Sequence, residues 1–514
     1  MRSARFDGSV RVRMIDFLTD MSLFRTKPLS TLLAQIEETG GLKRTLRWPG
    51  LIALGIGAII GAGLFARTPA AAAQNAGPGV TLSFVIAAIG CAFAGLCYAE
   101  FAAMIPIAGS AYTYAYVTMG ELVAWIIGWA LILEYGLGAA TLSIYWTEYF
   151  NNIFPNMIPW AWRHSPLQVS PGGIHGILNA PALCILLIMT LLLIKGISES
   201  ATVNAVIVGI KVTIVLIIIA VGWHFINPVN HTPFVLAEDP AHMGLFKHGW
   251  GGILGGAGVV FFAFIGFDAV STAAQETIDP GKNMPIGILG SLGVCTVLYI
   301  LFSWVLTGIA PALDFMDPNK GAEASVSYAI KTYMPGFGWL STLVSVAILA
   351  GFSSVMLVML LGQSRVFFSM SKDGLLPKLF ADVHPKFRTP YKCNWVLYVF
   401  VGLLGGFLPG DITGNMTNLG TLFAFVLVCI GVWVMRKKNP QQPRPFRAPL
   451  IPLVPILGAI FCLAMIISVD STSKIAAGSW MILGLVVYFL YAKRHSNLGQ
   501  PSLARAEVEA EPGD

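Results

Sequence analysis

Charged residues are scarce in this chain. Asp, Glu, Lys and Arg make up only 11% of its 514 residues, whereas soluble domains carry about 25%. Hydrophobic residues make up 56%, and the mean hydropathy is +0.73. A soluble fold cannot hide this much apolar surface from water, so a globular soluble domain is excluded. The composition predicts an integral membrane protein.

The chain also lacks the residue groupings that disulfides, metal sites and enzymes require. Its seven cysteines lie in or beside apolar runs, and none has the spacing of a metal-ligand set. Its eight histidines fall in loops, tails or a span edge, and we find no grouping of a buried acid–base residue with a nucleophile of the kind that an intramembrane enzyme needs. Basic and aromatic residues are not interleaved as nucleic-acid binding needs. We therefore expect no enzyme, no metal or other cofactor, and no nucleic-acid partner.

What the chain does contain is about 12 apolar runs near the roughly 20 residues that a membrane-crossing helix needs. The runs cover 50–73, 79–105, 120–150, 179–198, 201–226, 251–275, 284–310, 338–371, 393–409, 415–436, 449–468 and 473–492. An even number of crossings places both termini on the same side of the membrane. The sequence therefore predicts a multi-pass protein with about 12 transmembrane helices.

Basic residues decide the predicted orientation. They are concentrated before the first run, at 365–392 and at 436–447, which are loops on one side of the membrane. Because Lys and Arg favour the cytoplasmic side, both termini are predicted to be cytoplasmic and the protein to lie in the cell membrane. We expect a cytoplasmic N-terminal segment at 1–47, one transmembrane domain at 48–492 and a cytoplasmic tail at 493–514.

Ionisable residues inside the predicted spans are energetically costly and are therefore candidates for function. They are Glu100, Glu134, Lys211 and Asp268, with Glu276 near a span end. Lys211 lies deep within its span, where burial disfavours the charged ammonium and favours a role in proton coupling. A structural role, in which Lys211 donates to carbonyls at a broken helix, is compatible with this. Glu100 lies close to a span end and could equally be a packing contact.

The segment GIGAIIGAGLF, at 55–65, places four glycines in an otherwise apolar span. Gly57 and Gly61 have the spacing of closely packed membrane helices, but each interior glycine also weakens a helix by about 0.8–1.0 kcal/mol. The sixth run has a second weak point at Gly266, next to Asp268. Interruptions in corresponding spans point to an inverted-repeat transporter with a site at the midplane. The first and sixth spans cross in opposite directions, as inverted five-helix repeats require.

A broken helix offers backbone groups that suit one class of ligand. The freed N–H groups and the positive end of the helix dipole attract a carboxylate, and freed carbonyls can accept from an ammonium group. A small molecule that carries both groups close together is an α-amino acid. The two glycine-rich interruptions therefore predict a site for an L-amino acid.

Long segments of the chain, in order between about residues 40 and 495, resemble the amino acid–polyamine–organocation permeases, within them the cationic amino acid transporter branch. The segments are IGAIIGAGLF (56–65), GLCYAEFAAMIPIAGSAYTYAYVTMGELVAWIIGWALILEY (95–135), FFAFIGFDAVSTAAQETIDP (261–280), GQSRVFFSMSKDGLLP (362–377) and PFRAPLIPLVPILG (445–458). The resemblance implies an all-α membrane fold that works by alternating access. It also implies a five-plus-five inverted repeat with discontinuous first and sixth helices and two extra C-terminal helices.

The resemblance implies roles for residues at both interruptions. The substrate carboxylate would meet the amides of Gly61, Ala62 and Gly63. The substrate amine would meet carbonyls near Ile59 and Ile60 and, across the site, those of Phe261, Ala263 and Phe264. Phe264 would also be the aromatic gate above the substrate, and Gly266 completes the predicted site.

The resemblance also bears on coupling. Lys211 matches a fifth-span lysine that, in proton-coupled members, stands where sodium-coupled relatives hold an ion. Its ammonium would bond first-span carbonyls near 55–56 in one state and release them in another. Ser353 and Ser354 are the residue type that sodium-coupled relatives use, which leaves sodium coupling as an alternative. A lysine ammonium in that position would repel a second cation, so we predict proton coupling.

The substrate side chain is harder to predict. Met359 would shorten the pocket and favour a small or medium neutral amino acid, although ordinary helix packing explains this residue equally well. Glu134 and Asp268 could receive a cationic side chain or take part in coupling, and each could instead pair internally. We predict proton-coupled import of neutral L-amino acids without an obligate protein partner. Cationic amino acid transport, amino acid exchange and a sensor or exchanger subunit are the alternatives.

Overall fold

The computed structural model describes residues 23–27, 44–105, 110–196, 201–237, 244–316 and 325–498. Within these ranges the backbone forms helices and two isolated bridges, but no sheet. The prediction of an all-α fold is therefore confirmed. Most of the predicted terminal segments 1–47 and 493–514 lies outside the described residues.

Fifteen α-helices of nine or more residues carry the fold in the described part of the chain. In chain order they are α1 (Trp48–Ile59), α2 (Val80–Met104), α3 (Ser110–Thr118), α4 (Glu121–Leu131), α5 (Gly138–Ile153), α6 (Ala180–Lys195), α7 (Ala201–Gly222), α8 (Gly249–Val260), α9 (Pro280–Ile309), α10 (Ser325–Tyr333), α11 (Gly338–Lys372), α12 (Tyr391–Phe407), α13 (Gly410–Lys438), α14 (Leu453–Ser468) and α15 (Ser471–Val487). A π-helical segment, Ile132–Leu137, joins α4 to α5.

Apolar helices of membrane-crossing length dominate the fold. Eight stretches of the described chain are long and apolar enough to cross a bilayer, and α1, α6 and α14 are shorter apolar helices. The eight stretches are Gly63–Met104, Glu121–Ile153, Ala205–Phe225, Gly249–Glu276, Pro280–Ile309, Gly338–Lys372, Gly410–Lys438 and Ser471–His495. These helices support a multi-pass membrane protein.

Two groups of helices build the core. In the first group, α9 packs along both α1 and α2, and α8 packs against α2. In the second, α5 packs against α11 and α6, and α12 packs against α6. Small residues allow the close approach in the first group, because Gly55 lies directly against Ser291 and Gly287 against Leu51. The α13 helix contacts both α2 and α5 and so joins the two groups.

The chain just before α1 is paired with the chain just before α9. The amides of Thr45 and Leu46 both donate to the carbonyl of Glu276, at 2.8 and 2.9 Å, and the amide of Ile278 donates to the carbonyl of Leu46 at 2.9 Å. The segment 268–276 continues the span that begins with α8. This pairing therefore joins the two interrupted spans at the ends that lie away from their breaks. A displacement of α1 would therefore be transmitted directly to that segment.

Candidate substrate site at two helix breaks

The first interruption separates α1 from a second helical segment. The α1 helix ends at Ile59, and Ile60 is extended, with φ −74° and ψ 102°. Helical structure resumes as a π-helical turn at Gly63–Arg67. The break therefore lies at 60–61, within the glycine-rich segment where the sequence predicts it.

The second interruption follows α8. A 3₁₀ turn, Phe261–Phe264, leads to an extended Ile265, and a second 3₁₀ segment covers Asp268–Glu276. Gly266 between them has φ +114°, a conformation that glycine adopts without steric cost. A Cβ at this position would also lie 2.8 Å from the carbonyl oxygen of Ala58. Position 266 thus requires glycine for two reasons: the backbone has a positive φ, and α1 leaves no space for a side chain.

The two breaks lie against each other. Gly63 is so close to Ala263 that a methyl group on Gly63 would overlap the Ala263 backbone. Tyr299, on α9, contacts both breaks through one hydroxyl, which lies 3.0 Å from the carbonyl oxygen of Ile59 and 2.9 Å from that of Ala263. The predicted site residues of the first and sixth spans are therefore adjacent, and they are buried.

Lys211 completes the end of α1. The last carbonyls of a helix have no partner within the helix, and the carbonyl of Gly57 is one of them. The Lys211 ammonium donates to it at 2.9 Å, and the Lys211 side chain packs against Gly351 of α11. A cavity of about 10 Å³, enough for roughly one water molecule, lies beside Lys211 and Gly61. Lys211 thus joins α7 to the last turn before the first break.

Asn418 holds the end of α8 in the same way. Its side-chain amide donates to the carbonyl of Gly258 at 2.7 Å and to that of Val259 at 3.3 Å. Both carbonyls belong to the last turn of α8, where intrahelical partners are missing. A polar side chain from a neighbouring helix therefore satisfies the backbone at each of the two breaks.

The structure brings Glu134 and Asp268 together. Both side chains are fully buried, and the two carboxyl groups are close neighbours. Tyr135 donates to one oxygen of Asp268 at 3.0 Å, and Thr421 of α13 lies near the Glu134 carboxyl group. Two buried adjacent carboxyl groups are costly to charge together, so this pair is a candidate for coupling or for binding a cationic side chain.

Two further predicted site residues have clear surroundings. Met359, on α11, lies against Gly138 of α5, and Val355, one turn earlier on α11, contacts Gly61. Met359 is therefore one helical turn from the first break. Phe264 is fully buried, and its ring packs edge-on against the ring of Tyr299 with centroids 5.4 Å apart. The described residues contain no cluster of His, Cys, Asp and Glu that could hold a metal ion.

A family model described as amino acid permease matches residues 46–497. The chain belongs to the amino acid permease family. This membership identifies a transporter and not an enzyme, in agreement with the sequence prediction. The breaks, Lys211 and the acidic pair all lie within the matched region of this permease.

Relatives of the permease cover most of its length. A branched-chain amino acid permease of Bacillus subtilis (strain 168) is 43% identical, over 93% of this chain and 99% of the relative. A methylthioribose transporter of the same organism is 42% identical, over 93% of this chain and all of the relative. The vacuolar cationic amino acid transporter 4 of Arabidopsis thaliana is 33% identical, over 82% of this chain and 68% of the relative.

Sequence reasoning missed three polar residues of the permease. Tyr299 and Asn418 carry no charge and lie in apolar helices, so no pattern distinguishes them before their carbonyl partners are known. Arg67 lies within the first apolar run, at 50–73, and it is fully buried. It pairs with Asp411 of α13 at 2.9 Å and also contacts Asn415. The basic residue within the first apolar run was the signal that could have identified it.

Glu100 has a structural role in this permease. Its carboxylate accepts from the Arg436 guanidinium at 2.9 and 2.6 Å and from the amide of Ala448 at 2.8 Å, and Arg444 lies 3.5 Å away. These bonds fix the loop between α13 and α14 to the end of α2. Of the two interpretations left open by the sequence, the contacts of Glu100 support packing.

Proposed function

We propose that this permease imports neutral L-amino acids across the cell membrane by proton-coupled alternating access. The observation that carries the proposal is the contact of the two helix breaks, with Lys211 bound to the last turn of α1. The amides of Gly61, Ala62 and Gly63 would bind the substrate carboxylate, because a helix begins at that point. Alternating access needs elements with two arrangements, and the half-helices at each break supply them.

The carbonyls of the breaks would bind the substrate amine. Candidates are those of Ile59, Ile60, Phe261, Ala263 and Phe264, and the support is that the carbonyls of Ile59 and Ala263 both lie within 3.0 Å of the Tyr299 hydroxyl. Tyr299 already donates towards Ile59 and Ala263, but a carbonyl has two lone pairs and can accept a second hydrogen bond. The Tyr299 hydroxyl would thus fix the positions of these two carbonyls while the ammonium group binds. Phe264 would be the gate above the substrate.

The proposed architecture is a five-plus-five inverted repeat within about 12 spans, with two extra C-terminal helices. It is supported by a feature that the two breaks share: at each one, a side chain from another helix donates to a carbonyl in the last turn before the break. Lys211, from the fifth predicted span, caps α1, and Asn418, from the tenth, caps α8. These are corresponding positions in two five-span halves. The basic loops support cytoplasmic termini, with the transmembrane domain at 48–492.

Proton coupling is proposed to act through Lys211. The protonated amine donates to the Gly57 carbonyl and holds α1 in place. Loss of the proton to the cavity beside it would weaken this bond and release the end of α1. The Lys211 side chain packs against Gly351, two residues from Ser353, so its charge disfavours sodium at the serine pair. The Ser353 hydroxyl donates instead to the carbonyl of Leu349, within its own helix, at 2.8 Å.

Uptake of labelled substrates into proteoliposomes tests the proposal. The panel contains alanine, leucine, arginine and methylthioribose, each with and without an inward proton gradient and an inward sodium gradient. We expect leucine and alanine to accumulate with the proton gradient alone. Methylthioribose has neither a carboxylate nor an amine, so uptake of this compound in place of amino acids would refute the backbone site. Sodium-driven uptake without a response to pH would refute the role of Lys211.

Neutral selectivity should depend on Met359. Because Met359 is one turn from the first break, Met359→Ser should lengthen the pocket and allow arginine to enter. We expect arginine uptake to rise roughly tenfold relative to alanine uptake. This is the lower end of the change in selectivity that a few apolar atoms in a pocket produce. Met157→Ser, in an exposed loop, is the control. Unchanged selectivity in Met359→Ser would remove Met359 from the pocket.

The acidic pair should matter most for a cationic substrate. In the Met359→Ser background, Glu134→Gln is expected to lower arginine uptake about tenfold relative to alanine, because a charge-assisted hydrogen bond contributes about 1.5–3 kcal/mol. The ratio of the two uptake rates is its own control for expression. An equal loss of alanine and arginine uptake would show instead that Glu134 takes part in coupling.

A further inference from the structure

Two pairs of residues, one on α5 and one on α11, face each other next to the first break. In each pair, the residue that contacts the break is called the upper member and the other the lower member. Gly138 and Leu142 are four residues apart on α5, and Val355 and Met359 are four residues apart on α11, so each pair shares one helix face. A Cβ on Gly61 would lie 3.4 Å from Val355 and 3.7 Å from Leu142. Leu142 and Val355, the upper members, therefore contact the break, and Gly138 and Met359, the lower members, lie one helical turn away from it.

The lower members are Gly138 and Met359, and they fit together closely. A Cβ on Gly138 would lie only 2.7 Å from the Met359 sulfur and 3.2 Å from its terminal carbon. The thioether end of Met359 thus occupies the space that any other residue at 138 would need. Thr417 of α13 bounds the same space, with its methyl group 3.6 Å from that Cβ position. Glycine within a helix costs about 0.8–1.0 kcal/mol relative to alanine, and here its benefit is room for a neighbouring side chain.

We propose that Gly138 is a specificity-determining positioning residue, which allows Met359 to lie back against α5 and so keeps its thioether away from the first break. This inference rests on the proposed function, in which the substrate binds at 61–63. A side chain at 138 would displace the Met359 thioether away from α5. Thr417 bounds the α13 side, and the first break lies one turn along the same face of α11, so we expect the thioether to move towards the break. The pocket would become shorter, and larger neutral side chains would lose space before alanine does.

The variant Gly138→Ala tests this. Only the flexible end of Met359 opposes the new methyl group, and methionine adapts readily to changed surroundings, so the variant should fold with a melting temperature close to that of the wild type. We expect the KM for leucine to rise about tenfold relative to the KM for alanine, which is the discrimination that one methylene group gives in an apolar pocket. The maximal rate for alanine should be retained. Gly136→Ala is the matched control, because its Cβ would meet other atoms only at 3.6 Å or more.

A double variant separates positioning from general damage. Gly138→Ala combined with Met359→Ala removes the displaced thioether and should restore leucine uptake relative to alanine. An unchanged leucine-to-alanine KM ratio in Gly138→Ala, or a raised ratio that persists in the double variant, would overturn the inference. A wild-type protein that transports no amino acid would instead refute the proposed function. If Gly138→Ala does not fold, a double variant that folds with a raised leucine-to-alanine ratio still counts against the inference.

Discussion

Replacing Lys211 by glutamine is expected to abolish accumulation of amino acids against a gradient while amino acid exchange continues. The glutamine side chain still carries N–H donors, so it can bond the carbonyl of Gly57 and hold the end of α1. It has no proton to give up at neutral pH, so the inward proton gradient can no longer drive the cycle. Proteoliposomes with and without a pH gradient measure accumulation, and counterflow of labelled leucine measures exchange.

A second substitution at the same site distinguishes charge from hydrogen bonding. Lys211→Met removes the donor as well as the proton and leaves the buried Gly57 carbonyl without this partner, which costs about 1–3 kcal/mol. We expect exchange to fall roughly 5- to 150-fold in Lys211→Met but not in Lys211→Gln. Lys195→Gln, in the exposed last turn of α6, is the control. Proton-driven accumulation by Lys211→Gln at the wild-type level would exclude Lys211 from coupling.

The sequence was sufficient to locate both interruptions, because the backbone at a helix break adopts conformations that glycine tolerates and most other residues do not. Gly266 illustrates this, since its φ of +114° is one that other residues rarely adopt. The membrane class and helical content followed from composition for an equally direct reason. A chain this apolar has to satisfy its backbone polar groups internally, and helices do so within one segment.

The partners at the breaks could not be predicted in the same way. Lys211 was expected to bond carbonyls near 55–56, and it bonds Gly57, because the position where α1 ends depends on the extended conformation of Ile60. Tyr299 and Asn418 satisfy carbonyls at the breaks from distant helices, and no local pattern records such a contact. The adjacency of Glu134 and Asp268 depends likewise on how the π-helical segment Ile132–Leu137 and the 3₁₀ segment Asp268–Glu276 lie relative to each other.

The close contact of the two breaks makes Gly63 the most sensitive position in the site. In Gly63→Ala, the added methyl group would overlap the backbone of Ala263, and backbone cannot move aside as a flexible side chain can. Overpacking of this kind costs about 1–3 kcal/mol, so the two breaks should separate and the proposed amine and carboxylate sites should lose their spacing. We expect leucine uptake to fall roughly 5- to 150-fold, with binding weakened to a similar degree.

The same substitution elsewhere in the membrane domain should be harmless. Gly293→Ala, within α9, places its methyl group where no atom lies within 4 Å, and alanine favours a helix over glycine by about 0.8–1.0 kcal/mol. This variant should transport at the wild-type rate and melt at the same temperature or higher. Gly63 begins the helical turn Gly63–Arg67, where alanine is also favoured over glycine, so helix propensity cannot explain a loss in Gly63→Ala. Wild-type uptake by Gly63→Ala would show that the cycle does not require the two breaks to touch, and the amino acid would then have to bind one break alone.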